Sequence, residues 1–225
     1  MQVDASTTSM ARKGRPLMAD PPPHRSLEDL CQELEQEARH RIGNSFQAVS
    51  ALTKARARAV ADAPTKAELN ELAARVEAFA AAHANLRFQD GRPVMLMKEA
   101  IESLVNGLRV QHEIAGESVD LDVAPFDMDP DQGLPLVLIL HELSAHSFKC
   151  HGAPKICLTA DTRDDVARLT IVDLGFHLPK EVSAASGGSL GWDLIRLLVR
   201  QAGGSLLRPE GRSDAVEITV PRHRR

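Results

Sequence analysis

The stretch LEDLCQELEQEARHRIGNSFQAVSALTKARARAV, residues 27–60, runs without a proline and with one glycine, Gly43, and its reading decides the architecture. At about 100° per residue, Leu27, Leu30, Leu34, Ala38, Ile42, Val49, Leu52 and Ala59 fall in one stripe, which predicts a single long helix with an apolar face to bury. Ser26 and Asp29 are placed as a capping box at its start. Acidic residues (Glu28, Asp29, Glu33, Glu35, Glu37) precede basic ones (Arg39, Arg41, Lys54, Arg56, Arg58), the order that the helix dipole favours.

Working outward, Ala61 to Pro64 interrupts the pattern, and Thr65 with Glu68 caps a second helix whose stripe is Leu69, Leu72, Ala73, Val76, Phe79, Ala80 and Ala84. The two helices form a hairpin with a core too narrow to stand alone. Two copies making a four-helix bundle would bury both stripes, so a homodimer is expected. The turn Asp90-Gly91-Arg92-Pro93 ends the hairpin. Beyond it, helices are predicted at 95–111, 133–149 and 190–202, the last stopped by Gly203-Gly204. Strands are predicted at 119–123, 155–160, 167–173, 206–208 and 215–220. The expected fold class is α+β, a long helical hairpin followed by a two-layer α/β sandwich. Residues 1–25 mix basic, Ser and Thr residues with Pro21-Pro22-Pro23, show no hydrophobic period and are expected to be disordered, with Met18 offering a second start. The domain organisation is therefore 1–25 tail, 26–90 hairpin and 91–225 sandwich.

The 225 residues are 43% hydrophobic and 26% charged, with only 3% aromatic and no Tyr, so the core must be aliphatic. A net charge of -4 argues against a nucleic-acid surface. Cys31, Cys150 and Cys157 are odd in number and unpaired in spacing, which points to free thiols and the cytoplasm. No run reaches the ~18 apolar residues of a spanning helix, and the first 25 residues lack the apolar segment of a secretory signal.

On the long helix His40 projects about 140° from the centre of the apolar stripe, with Asn44 and Gln47 beside it, and is expected on the exposed face. An imidazole is a nucleophile near neutral pH and accepts a phosphoryl group in line. Arg39 and Arg41 are placed to hold the added charge, and Asn44, one turn on, to orient a water for the reverse hydrolysis. Farther along, Glu142, His146 and Lys149 at i, i+4 and i+7 form a polar stripe on a helix preceded by the apolar run Leu134 to Leu140. A partly buried polar stripe needs partners, so a pocket or its remnant is expected there. Without further context an exposed His40 is one polar residue among many, Asp173 ends a strand, and Gly188 and Gly191 lie in a loop leading into a helix. His141 and His146 are five apart, about 140° around a helix, and cannot chelate one metal locally. Cys150, His151 and Cys157 lack the paired spacing of a zinc site.

The segment Glu37-Ala38-Arg39-His40-Arg41-Ile42-Gly43-Asn44-Ser45-Phe46-Gln47 resembles the phosphoacceptor box of the HWE bacterial histidine kinases and their near relatives. Leu86-Arg87-Phe88, His141-Glu142-Leu143, Asp173-Leu174-Gly175 and Ser189-Leu190-Gly191 continue the resemblance in order across about residues 27–225. It implies a dimerisation and phosphotransfer hairpin followed by a Bergerat-type ATP-binding domain. It further implies that His40 is the phosphoacceptor, that Glu142 is the acid-base residue of the nucleotide-site helix, and that Asp173 binds the adenine amino group. Gly175, Gly188 and Gly191 would let backbone approach the nucleotide. The chain departs from the pattern at His146, where the family has an Asn that offers oxygen to Mg²⁺, and at His177, where a glycine is usual; Trp192 replaces an aliphatic.

Three readings of function follow. One is a histidine phosphotransferase relaying a phosphoryl group between His40 and the Asp of a response regulator, with a degenerate kinase-like domain whose use of ATP and Mg²⁺ is in doubt. Another is an active ATP-dependent histidine kinase that lacks its own sensor domain. The third is a dimer that binds a regulator without chemistry.

Overall fold

The computed structural model describes residues 26–113, 119–151, 156–172, 190–212 and 214–223. It begins with helix α1 (Leu27–Ala59), the long helix read from residues 27–60. The turns of α1 before Glu37 are described by themselves; there Leu27, Leu30 and Leu34 are exposed. The described residues from Glu37 onward form one compact unit.

Helix α2 (Ala63–His83) starts two residues before the expected cap. Asp62, not Thr65, is the N-cap: its Oδ2 accepts from Thr65 N at 2.8 Å and from Thr65 Oγ1 at 2.6 Å. Pro64 falls in the first turn, where its missing N–H costs nothing, so the proline read as an interruption is part of the helix start. The face of α1 that meets α2 is also not the apolar stripe. Ile42, Val49 and Leu52 of that stripe are exposed in the single chain. Contact is made instead by Phe46, edge-on to Phe79 at 4.9 Å, and by Ser50, which donates to Glu77 Oε1 at 2.7 Å. Lys54 Nζ lies 2.5 Å from the same oxygen. Ser50 is 2% exposed, so Glu77→Ala strands a buried donor and is expected to cost about 1–3 kcal/mol in a urea melt; an unchanged midpoint would show that water replaces the tie.

Between α2 and the next helix, strands β1 (Leu86–Gln89) and β2 (Arg92–Leu96) form a hairpin that the sequence reading took for a turn alone. Asp90 and Gly91 have φ of 50° and 73°, the two left-handed residues that a tight hairpin turn requires. The order continues with α3 (Met97–His112), β3 (Val119–Val123), β4 (Asp127–Met128), α4 (Pro130–His151), β5 (Ile156–Arg163), β6 (Val166–Val172), α5 (Leu190–Gln201), β7 (Ser205–Leu207) and β8 (Val216–Pro221). A small sheet runs β1-β2-β4 and the main sheet β3-β5-β6-β8-β7. Only β3 and β5 are parallel there; the other pairs are antiparallel.

On β6 and β8, Ala167, Leu169, Ile171, Val216, Ile218 and Val220 are buried, and Arg168 and Glu217 lie on the opposite face, which gives the main sheet one packed side. Against it lie Leu136, Ile139, Leu140 and Leu143 of α4, Ile195 and Leu198 of α5, and Ile101, Leu104 and Leu108 of α3. This is the expected two-layer sandwich in an α+β fold. Ala78 and Ala82 of α2 belong to the same apolar cluster, so the hairpin's second helix packs directly on the sandwich.

Candidate functional site

Helix α4 begins three residues before the predicted start. The Asp129 carbonyl accepts from Gln132 N and Gly133 N, and its Oδ1 from Asp131 N, which leaves Pro130 in the first position that suits proline. From there the helix carries His141, Glu142 and His146 into a cleft of about 440 Å³. One wall is the middle of α2, with Asn70, Glu71 and Arg75; the other is the start of α5, with Gly191 and Trp192.

Glu142 is the centre of this cleft. Arg75 Nε donates to its Oε1 and Arg75 Nη2 to its Oε2, each at 2.8 Å, a bidentate pair between helices. His141 Nδ1 lies 3.2 Å from Oε1. The carboxylate is 8% exposed and the guanidinium 15%. Burial pushes the Glu142 carboxyl up, and the hydrogen bonds from His141 and Arg75, with their charges, bring it down to about 2. The guanidinium is held above its ordinary value, first by its hydrogen bond to Glu142. A Cβ at Gly191 would stand 3.3 Å from Glu142 Oε2, so a glycine there keeps α5 close to the carboxylate.

Among the predicted residues, the structure thus brings Glu142, His146 and Gly191 to one cleft. Glu142 is buried while His146, one turn on, is exposed. The Lys149 side chain and all of Asp173, Gly175, His177 and Gly188 lie outside the described residues. Arg75 is a partner that the sequence reading did not single out; His141, read there in the His141-Glu142-Leu143 box, is the other. No group of three or more His, Cys, Asp or Glu suited to a metal occurs among the described residues.

His40, Arg41 and Asn44 lie on α1, all exposed. The two arginines beside His40 are engaged: Arg39 Nη1 donates to Leu86 O at 2.8 Å, which ties α1 to β1, and Arg41 bonds Glu37 Oε1 one turn back at 2.7 Å. The second is an exposed pair worth a few tenths of a kcal/mol, on the order of 0.3–0.5, and is readily exchanged for another anion. Arg39 holds the helix; Arg41 is the one more easily redirected.

Residues 37–112 match the family model described as Histidine kinase. The sensor histidine kinase PdtaS of Mycobacterium tuberculosis, in strains CDC 1551 and H37Rv, is 26% identical over 195 residues, covering 82% of this chain. The chain spans 38% of the length of those curated relatives. Two solved structures share the fold. The blue-light activated histidine kinase of Erythrobacter litoralis EL346 superposes with a TM-score of 0.56 at 18% identity, over 68% of this chain and 54% of that one. Its histidine kinase domain gives a TM-score of 0.56 at 16% identity, over 80% of this chain and 96% of that domain. Among the described residues no helix is long and apolar enough to cross a membrane.

Proposed function

From the match of residues 37–112 to the family model described as Histidine kinase, we propose that this chain is a cytoplasmic histidine phosphotransferase that relays a phosphoryl group between His40 and the aspartate of a response regulator. The observation that carries the reading is the exposure of His40 at mid-helix within the matched segment, on a face that no other element covers among the described residues. A receiver domain docking there brings its aspartyl phosphate in line with the imidazole: the aspartyl O–P bond breaks as the N–P bond forms, and the reverse returns the group. Arg41, released from Glu37, offsets charge on the transferring group. The sandwich serves as a docking surface, and Glu142, held by Arg75, favours this role over that of an ATP-dependent kinase.

The exposed Ile42, Val49 and Leu52 of α1 and Leu72 of α2 support a homodimer through the hairpin, since a four-helix bundle is what would cover them. The deciding experiment incubates the protein with γ-labelled ATP and Mg²⁺ and, in parallel, with a phosphorylated response regulator, scoring acid-labile label. Label from the regulator alone is the expected result; label from ATP makes the protein a working kinase, and label from neither leaves a binding module. Asn44→Ala is expected to slow loss of phosphate from His40 by about tenfold while changing its arrival little. Equal loss of both rates would remove the water-orienting role of Asn44.

A further inference from the structure

The cleft at Glu142 is walled by the chain's own hairpin. Ala67, Asn70, Glu71, Ala74 and Arg75, two turns of α2, stand opposite Gly191, Trp192 and Ile195 of α5, with α4 as the floor. Ala74, Ala78 and Ala82 seat α2 on the sandwich through small apolar side chains. Arg75 is the exception on that helix face, a charge taken to 15% exposure, and such a charge persists only when its partner is well placed. The partner is Glu142, which meets it with both oxygens. His141 takes the remaining approach at Oε1, and the Gly191 backbone closes in beside Oε2.

A nucleoside triphosphate with its hard metal ion needs oxygen ligands that are free to accept a cation, and needs room beside them. The arrangement withholds the first at Glu142. The carboxylate is already neutralised by a guanidinium from α2, and the exposed neighbour His146 presents nitrogen where a hard ion prefers oxygen. As arranged, these residues do not fit a metal-nucleotide.

We infer that Arg75 is an internal latch: its bidentate pair with Glu142 holds α2 across the cleft and closes it to nucleoside triphosphate, and neutralising Arg75 opens the cleft. In this closed form the sandwich stays seated on α2, and the His40 face of α1 remains open to a partner. The latch bears on the relay reading only in taking the cleft as kinase-derived.

The test uses the full chain and N-methylanthraniloyl-ATP, followed by fluorescence anisotropy with and without Mg²⁺, on wild type, Arg75→Gln, Arg75→Ala and the exchanged pair R75E/E142R. If the closed form dominates the wild type, the apparent affinity is reduced by the open fraction, so Arg75→Gln should bind at least about tenfold tighter. The exchanged pair keeps the attraction with the charges swapped and should return to wild-type binding. Amide exchange along α2 and α4 should rise in Arg75→Gln and fall back in the exchanged pair, which a general loss of fold would not do. Arg75→Gln keeps a polar side chain of similar length should Arg75→Ala fail to fold. Wild-type binding as tight as that of Arg75→Gln, or a folded Arg75→Gln that binds no tighter, overturns the latch. Transfer from phosphorylated regulator to wild-type His40 judges the relay separately: absent transfer with a closed cleft sinks the relay alone, and an open cleft with intact transfer sinks the latch alone.

Discussion

His40→Ala should leave no acid-labile label on the protein from a phosphorylated regulator, a fall of more than about a thousandfold, while the hairpin keeps its oligomeric state. On the proposed relay the effect is large because the substitution removes the nucleophile itself, and no neighbour replaces it. Arg39 is bonded to Leu86 O, Arg41 is a guanidinium, and Asn44 is an amide. The fold should tolerate the change, since the side chain is exposed and takes no part in the contacts of Phe46 and Ser50 with α2. Alanine also raises helix propensity at an exposed site by a few tenths of a kcal/mol, roughly 0.5. Light scattering and the thermal midpoint should therefore match wild type. Label persisting on His40→Ala would move the phosphoacceptor elsewhere, with His83 the first residue to examine because it lies across from Phe46 on α2. A mutant that loses its oligomeric state would show that His40 lies in the interface and would overturn its placement on an open face.

Much of this arrangement is written in local sequence. A proline-free stretch with one periodic stripe yields α1, and the strand at Val119–Val123 is found with its full bounds. The β1-β2 hairpin was hidden because Asp90-Gly91 reads equally as a linker, and Pro93 argues against a strand. Its position resolves the conflict, for β4 pairs with Met95 and Leu96 only and leaves Pro93 with one neighbour strand. The α1 stripe was legible as a pattern, but which partner covers it is not a property of one chain. Glu142 was legible as a polar residue on an apolar helix. Its partner was not: Arg75, set between Ala74 and Val76, reads as a solvated charge on a periodic helix, and only the packing of α2 on α4 turns it inward. Charges that meet across 67 positions of sequence leave no local trace.

Glu142→Gln should destabilise the fold by about 3 kcal/mol at neutral pH, and that difference should vanish in acid. Glutamine keeps the shape and one acceptor oxygen, so the change isolates charge from volume. Among the described residues it leaves the guanidinium of Arg75 buried with only Glu71, 3.7 Å away and more exposed, as a second carboxylate. The pH dependence follows from the carboxyl itself. Burial alone would raise it, but the hydrogen bonds from His141 and Arg75 set it at about 2 against an ordinary value of 4.5. A group whose folded value is depressed contributes stability that is complete above about 4.5 and is lost as pH falls towards 2. Wild type and Glu142→Gln, compared by urea melts between neutral pH and about pH 2, should therefore converge as the wild-type carboxylate takes up its proton. A difference that is constant with pH would assign the loss to packing and not to charge. Equal stability at neutral pH would mean that Arg75 escapes to Glu71 or to water, and that α2 is held on the sandwich by its alanines alone.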